Sequence, residues 1–402
     1  MAELLIRVGS QDVALVQRVF GLDGAHAAAW RPDRLVVDAH VAEKTPALAD
    51  TARRAGVPFL VDPQTYFLQG TQHPADPWAR LPFGDPRPLT AEDLADTATQ
   101  DTLVAACIDH QIATGATAII APYLHLEGLD DGLVFVQAAL WRRTAALLGE
   151  RGNQMPVIAV VALGWRLLDP STSNDLLPVW EALDVLAPDE VAIAATKAHM
   201  GASAVNRLHN LVMLVRKLTP AYPVLAWQQG LLGEACVAAG ARGYETGIAK
   251  REHCDLQSAR NDHRQLEVPG PRGAPPVYIP ALGRGIPKKT VSELRGHSGV
   301  WTSVLCADPR CCPSGDHILN DARQHAIVSR ARSLAELTQI DRTTWRWAEL
   351  TRRAARGVRL ARRINTIADR TPGMARVDTR ALEAIYTVAD QRMHLQRRRK
   401  AA

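Results

Sequence analysis

Carboxylate side chains stand at the ends of short apolar runs in this chain of 402 residues. Asp38 and Asp62 each end such a run, and Glu245 lies within a third. Burial shifts the pKa of a carboxyl group, so carboxylates that share a pocket can divide into a nucleophile and a general acid or base. We predict that Asp38, Asp62 and Glu245 are catalytic, although a strand-end aspartate can equally cap the following helix.

Polar side chains that follow other apolar runs are candidates for substrate contacts. Lys197 would be able to form a Schiff base if burial lowered its pKa, because a neutral amine attacks a carbonyl carbon. The alternative for this lysine is a salt bridge to a phosphate or a carboxylate. The predicted substrate-binding residues are Gln69, His125, Lys197, Gln228 and Arg284.

Three cysteines and a histidine lie close together after the last apolar run. Cys306, Cys311 and Cys312 stand in a loop with proline and glycine, and His325 follows on a predicted helix. Zinc binds four such ligands tetrahedrally, so these residues are the predicted ligands of a zinc ion. The alternative is a reduced thiol cluster in a loop. A metal here would be structural, because the segment lies beyond the predicted strands.

A group of arginines follows the cysteines. Arg352, Arg356, Arg359 and Arg363 fall at i, i+4, i+7 and i+11, which places them on one face of a helix. Apolar residues at helical spacing form another face that would dock on the rest of the protein. The arginine face is predicted to contact nucleic-acid phosphates, and the alternative is a solvated helix whose arginines form salt bridges.

The elements that must position these residues follow a repeating pattern. Short apolar runs alternate with longer segments of helical spacing, which predicts parallel strands joined by helices. About eight such runs occur, a number typical of a (β/α)8 TIM-type barrel. The rival fold is a doubly wound sheet, but the glycine-rich turn that binds a dinucleotide in such sheets is not found after the first run, and no nucleotide cofactor is evident. The predicted strands are Leu35–His40, Pro58–Asp62, Ala118–Pro122, Val157–Leu163, Val191–Thr196, Val224–Trp227, Tyr244–Ile248 and Val277–Leu282.

Four segments follow from this pattern. We predict an N-terminal flanking segment at 1–33, a barrel at 34–300, a Cys/His cluster at 301–330 and a basic helical extension at 331–402. Because the carboxyl ends of barrel strands share one mouth, the predicted acids should meet there.

Composition limits the classes of protein to be considered. The net charge is +5 and the last segment is rich in arginine, which indicates an anionic partner such as nucleic acid. Neither a secretory leader nor an apolar segment long enough for a membrane is recognisable, so we expect a cytoplasmic protein with reduced cysteines. The oligomeric state, and membership of a larger complex, are left open.

The layout resembles that of the tRNA-guanine transglycosylases, barrel enzymes that exchange a nucleic-acid base for a 7-deazaguanine through an aspartate nucleophile. In that family a cysteine-rich zinc site with a later histidine follows the last barrel strand, and the Cys306 to His325 cluster has a similar place here. The family's Asp-Ser-Gly-Gly-Phe-Gln motif is similar to the segment from Asp62 to Gln69, which is longer and diverged. Its Asp-Cys-Val-x-Pro-Thr-Arg motif has no match, and Glu245 is only a positional substitute.

Three functional hypotheses remain open. The resemblance implies a transferase that exchanges bases, or transfers a glycosyl group, on tRNA or DNA, with Asp62 or Glu245 as nucleophile and Asp38 as acid or base. The acids or Lys197 would also suit a barrel hydrolase or lyase that acts on a small molecule. The third hypothesis is a degenerate, non-catalytic barrel that binds nucleic acid as a subunit of a larger complex.

Overall fold

A computed structural model describes residues 2–24, 26–71, 73–129, 132–172, 174–248, 251–263 and 274–401, with the backbone alone at 262–263 and 396–401. The strands are β1 Glu3–Val8, β2 Arg34–Asp38, β3 Phe59–Asp62, β4 Ile119–Ile120, β5 His125–Leu126, β6 Val157–Gly164, β7 Glu190–Thr196, β8 Val224–Ala226, β9 Gly243–Gly247, β10 Val277–Ile279 and β11 Arg284–Ile286.

Eight parallel strands form a nearly closed barrel, consistent with the predicted TIM-type architecture. Their order is β3-β2-β1-β9-β8-β7-β6-β4, and β5 pairs with the far end of β6. The two end strands, β3 and β4, are joined just before β4, where the Thr117 amide donates to the Phe59 carbonyl at 2.8 Å. Strands β9 and β1 lie so close together at Gly243 that a Cβ on this residue would be 2.3 Å from the Glu3 carbonyl oxygen, so the position requires glycine.

Two strand assignments made from the sequence are wrong. Leu4–Val8 was expected to flank the barrel, but β1 lies inside it and pairs with both β2 and β9. Its residues are buried on both faces, as parallel strands in a barrel require. The run at Val277 was expected to be the eighth strand, but β10 pairs in antiparallel fashion with β11 outside the barrel. The strand total was right because these two errors compensate.

Helices cover the barrel and continue beyond it. They are α1 Val13–Phe20, α2 Ala39–Lys44, α3 Ala47–Ala55, α4 Ala91–Ala95, α5 Thr97–Ala113, α6 Leu133–Glu150, α7 Leu177–Leu186, α8 Ala204–Leu218, α9 Gly233–Ala239, α10 Leu256–His263, α11 Lys288–Glu293, α12 Ser298–Val304, α13 His317–Asn320, α14 Ala322–Thr338, α15 Thr343–Ala368 and α16 Arg380–Ala401. None of these described helices combines the length and apolar content that crossing a bilayer requires.

The predicted C-terminal helices are present and have a core of their own. Apolar side chains of β10, α13 and α15 form a second buried cluster beside the main one, with Cys311 and Cys312 among them. Helix α14 belongs to both clusters, because Ile327 packs in the main core and Val328 in the second. The extension is therefore packed against the barrel.

An ion network lies at the end of the barrel where strands begin. Arg34 at the start of β2 donates to both oxygens of Glu190 at 2.6 and 2.7 Å, and it lies 2.6 Å from Glu3. Arg242 lies 2.8 Å from Glu3 and 2.9 Å from Glu190. Two cations meet two anions, so the charges of these four residues balance.

Candidate functional site

At the opposite end of the barrel the three predicted acids meet around one arginine. Arg7, near the end of β1, donates from Nη1 to Asp38 at 2.5 Å, from Nη2 to Asp62 at 2.7 Å and from Nε to Glu245 at 2.9 Å. All four side chains are buried. The structure thus brings Asp38, Asp62 and Glu245 into one cluster, which we call the Arg7 network.

Sequence analysis missed Arg7. Its strand reads Leu-Leu-Ile-Arg-Val, and a lone arginine in such a run was available as an indication of a buried partner. The assignment of β1 to a flanking segment removed this residue from the barrel mouth and so from the list of candidates. Trp227, at the end of β8, covers the guanidinium with its ring centroid 5.6 Å away.

Asp62 has a full set of hydrogen-bond donors. Besides Arg7, its carboxylate accepts from the Tyr123 hydroxyl at 2.9 Å, the Gln64 amide at 3.1 Å and the Trp227 indole at 3.4 Å. These donors occupy both oxygens of a side chain that is 0% exposed. In this arrangement Asp62 holds its neighbours in place.

The other two carboxylates differ in pKa, as the sequence analysis expected. Burial would raise the pKa of Asp38, but the guanidinium groups of Arg251 and Arg7 lower it well below its ordinary value. Burial raises the pKa of Glu245, and Arg7 offsets part of this effect. Glu245 also accepts from the Gln228 amide at 2.8 Å. Asp38 is therefore the group that favours the ionised form, and Glu245 is the one pushed towards the protonated form.

The charged groups at the mouth are arranged differently from those at the opposite end. Arg251 reaches in from the loop after β9 and donates to Asp38 at 2.6 Å, with more than half of its side chain exposed. Three carboxylates thus share two guanidinium groups, and the raised pKa of Glu245 indicates which of them a proton would neutralise. Because carboxylates are costly to bury, a cluster of three with a perturbed pKa indicates a functional site more than a structural one.

A second group of side chains at the mouth has hydrogen-bonding capacity to spare. His125 follows β4 and is buried, yet within the described residues neither ring nitrogen has a hydrogen-bond partner. Glu127 lies beside it, with Oε2 3.3 Å from the His125 Nε2 and also unpartnered. Burial, then Arg260 and Lys197, lower the pKa of His125 to about 3, while burial raises that of Glu127. Glu127 was missed because its strand was expected to end at Pro122.

The other predicted substrate-binding residues have mixed positions. Lys197 donates to Gln257 at 2.7 Å and lies 3.7 Å from Asp255, so an amide and a carboxylate already occupy its amino group. Gln69 exchanges hydrogen bonds with the His125 backbone at 2.7 and 2.8 Å, which fixes that loop. Arg284 lies on β11 outside the barrel and donates to the Asp378 carbonyl at 2.8 Å.

Backbone strain also gathers at the mouth. Gln64, Lys197, Gln228 and Arg251 have positive φ angles between 51° and 57° although they are not glycines. They follow β3, β7, β8 and β9, and the remaining such residue in the described chain is Ala187. Strained conformations of non-glycine residues concentrate at functional sites. Together with the three buried carboxylates, they mark the mouth as the candidate active site.

The predicted zinc ligands come together outside the barrel. The ligand atoms of Cys306, Cys311, Cys312 and His325 all lie within 4.8 Å of one another. The His325 Nδ1 is 3.4 Å from the Cys311 sulfur and 3.3 Å from that of Cys312, and the two sulfurs are 3.8 Å apart. Sulfur ligands of a tetrahedral zinc are about 3.8 Å apart for bonds of about 2.3 Å. The cluster could therefore hold a metal such as zinc.

The surroundings of the cluster suit metal binding. The His325 Nε2 lies 2.9 Å from the Tyr278 carbonyl oxygen, so it carries the proton and leaves Nδ1 free for a metal. The bond ties α14 to β10, and the thiols come from the loop between α12 and α13. A bound metal would crosslink these segments.

The predicted arginine face lies on α15. Arg352, Arg356, Arg359 and Arg363 are exposed, whereas Leu350, Ala354, Ala361 and Ile364 on the opposite face are buried. Salt bridges account for part of the charge, because Arg352 pairs with Glu349 and Arg356 lies 4.0 Å from the same carboxylate. Arg363 donates to the Gly299 carbonyl at 2.6 Å. The salt-bridge interpretation therefore describes Arg352 and Arg356, and the nucleic-acid interpretation stays a prediction.

Comparison with known proteins adds no assignment. The chain matches no protein-family model, and no curated protein is significantly similar to it. The functional argument therefore depends on the geometry of the mouth, the metal cluster and the arginine face.

Purified protein is expected to contain about one zinc ion per chain, because four ligand atoms of suitable type already lie within 4.8 Å of one another. Elemental analysis by mass spectrometry measures the content, and Cys312→Ser should lower it several-fold. Cys236→Ala, which removes a buried cysteine from α9, is the matched control and should keep the metal. A stable wild-type protein without metal would contradict the assignment.

The buried neutral imidazole of His125 should make the protein sensitive to mild acid. As the pH falls below about 6.5, the unfolded chain binds a proton on His125 that the folded chain refuses until about pH 3. This costs up to about 1.4 kcal/mol of stability per pH unit in that window. Urea unfolding between pH 7 and 4 should show a shallower loss for His125→Gln than for wild type. The exposed His297→Gln should behave as wild type, and equal slopes for all three would refute the prediction.

Proposed function

We propose that the chain is a glycosyl-transfer enzyme that acts on nucleic acid and exchanges or releases a base at the barrel mouth. The observation that carries the proposal is the Arg7 network, in which three buried carboxylates meet at the barrel mouth. Breaking a glycosidic bond generates an oxocarbenium-like sugar with positive charge, which buried carboxylates stabilise. The resemblance to base-exchanging barrels, based on the order of barrel and Cys/His cluster, supports the same reaction.

Asp38 is the best candidate for the carboxylate that faces the sugar. It stays ionised, and its outer partner Arg251 is exposed and able to turn towards a substrate phosphate. A carboxylate oxygen of Asp38 would bond to the sugar C1′ while the bond from C1′ to the base breaks and its electron pair leaves on the base. Glu127 or Glu245, each with a raised pKa, would protonate that base. An incoming base would then displace Asp38 and give its ring N–H proton to the glutamate that had protonated the released base.

Cations near the mouth suit a polyanion. Arg166 lies 3.7 Å from Glu127, and Arg166 and Arg207 both lie over the ring of Trp165. With Lys197 they form a group of cations near Glu127. Phosphodiester groups are the chemistry that such a group and the α15 arginine face would both accept.

A non-catalytic nucleic-acid-binding barrel is the second candidate. Asp62 matches the family's nucleophilic aspartate by its place in the chain, but the four hydrogen bonds that it accepts leave no lone pair free for attack. This favours the second candidate. The two candidates make opposite predictions for turnover and the same prediction for binding. A Schiff-base lyase has less support, since Lys197 is ion-paired.

Base exchange can be measured directly with radiolabelled guanine and two polymers, bulk tRNA and duplex DNA. We expect label to enter one of them, and Asp38→Asn should lower the rate at least about 100-fold while the polymer still binds. Glu190→Gln alters a buried carboxylate of the balanced network at the far end of the barrel and should leave the rate per folded molecule unchanged. Full activity in Asp38→Asn would exclude this carboxylate, and Asp62→Asn would then test the alternative nucleophile. Binding without exchange in either polymer would favour the second candidate.

Nucleic-acid binding should weaken as salt rises, because arginine contacts release counterions from the phosphates. Replacing Arg352, Arg356, Arg359 and Arg363 by Gln should flatten the dependence of log Kd on log salt by up to about 0.9 per lost contact. Fluorescence anisotropy at several salt concentrations measures the slope. Arg53→Gln with Arg142→Gln removes exposed arginines of α3 and α6 as a control. An unchanged slope in the α15 variant would show that this face does not bind.

A further inference from the structure

Two positively charged helices pack against each other at one side of the protein. Helix α16 lies along α8, whose sequence from Ala204 to Leu218 contains no acidic residue. The basic residues of α8 include Arg216 and the titratable His209, and the chain of α16 ends in Arg-Arg-Arg-Lys. We call the contact between the two helices the α8–α16 seam. Neither the barrel mouth nor the α15 arginine face includes it.

Arg392 of α16 lies in this seam without an acidic partner. Its nearest polar contact is the His209 Nε2, 3.5 Å from Nη2, and its Nε has no hydrogen-bond partner within the described chain. Burial, and then the like charge of Arg216, lower the pKa of Arg392. His209 is also affected, because burial and Arg392 lower its pKa. Arg392 and His209 therefore face each other in the seam, and Arg216 is close enough for its charge to act on Arg392.

The other buried arginines of the described chain show what this one lacks. Arg7, Arg34, Arg330 and Arg392 are the arginines classed as buried, with 2 to 8% of each exposed. Arg7 has three carboxylates, Arg34 has Glu190 and Glu3, and Arg330 has Glu252 at 2.6 Å. An unpaired buried charge is costly, so proteins pair such groups or supply a bound ion.

Acidic residues elsewhere on α16 have other partners. Asp390 lies 3.6 Å from His394, and Glu383 lies 3.8 Å from Arg362 of α15. No described carboxylate lies within ion-pairing distance of Arg392 or Arg216. A bound anion would supply the negative charge that the described residues do not provide.

We propose that the α8–α16 seam is a binding site for a phosphate group, held by Arg392 and Arg216 with His209 as a further donor. A guanidinium group presents parallel N–H donors that match two phosphate oxygens, and Arg392 is held in place by burial before the ligand arrives. The phosphate can belong to a polynucleotide or to a small phosphate-bearing molecule. The proposal does not depend on glycosyl transfer at the mouth.

If Arg392 belongs to a binding site, its replacement should change the melting temperature in the opposite direction from the replacement of a structural arginine. Arg392→Met should raise the melting temperature of the ligand-free protein, because it removes an uncompensated charge and keeps the apolar stem. Arg330→Met is the matched control, since this buried arginine is paired with Glu252, and its loss should lower the melting temperature. A lower melting temperature in Arg392→Met would overturn the proposal.

Binding is tested by thermal unfolding of the full chain in inorganic phosphate against chloride of equal ionic strength. We expect phosphate to raise the melting temperature of wild type and of the α15 four-arginine variant, and calorimetry should show phosphate binding at least tenfold weaker in Arg392→Met. If Arg392→Met does not fold, the exposed Arg216→Met should weaken binding several-fold. Parallel titrations with a nucleoside monophosphate and a single-stranded oligonucleotide identify the source, and tighter binding of either one supports the site. An equal response of wild type and both seam variants to all three probes would refute it, whatever the outcome of the base-exchange assay.

Discussion

One buried guanidinium organises the mouth of this barrel. Arg7 reaches the ends of β2, β3 and β9 at once, and each of its nitrogens donates to a different carboxylate. Burying an arginine is costly unless its donors are satisfied, and three carboxylates from three strands satisfy them. The reverse also holds, because without Arg7 the carboxylates of Asp38, Asp62 and Glu245 would repel one another in a dry interior. The positions of these side chains are thus mutually dependent.

Buried charged groups are arranged differently at the two ends of the barrel. Where strands begin, Arg34 and Arg242 balance Glu3 and Glu190, and this network supports the fold. Where strands end, three carboxylates share two guanidinium groups, and the backbone is strained at four non-glycine residues. The His125 ring nitrogens and the Glu127 Oε2 also have no hydrogen-bond partner among the described residues. In barrels of this kind chemistry belongs to the latter end. The asymmetry within one molecule is what makes the mouth a candidate active site.

The C-terminal third gives the barrel a second apolar core and two cationic surfaces. The Cys/His cluster joins the loop after α12 to α14, and α14 contributes to both cores. Helix α15 then presents its arginines to solvent, while α16 returns to pack along α8. An extension held this firmly keeps its cationic surfaces at fixed positions relative to the mouth, as a polyanionic substrate would require.

The sequence by itself determined the alternation of strands and helices, the parallel barrel, the three acids, the cysteine cluster and the amphipathic α15, because each depends on local periodicity or spacing. It did not determine which eight runs close the barrel, since β1 and β10 have equally apolar sequences and differ only in their partners. Arg7 and Glu127 were missed for the same reason. The three partners of Arg7 are 31 to 238 residues away along the chain, and whether Glu127 has a hydrogen-bond partner depends on residues that are brought near it by folding. The charge balance at Arg7 and at Arg392 is likewise a sum over groups from distant segments. These segments come together only in the folded chain. The tertiary structure alone therefore decided which charged side chains have partners of opposite charge.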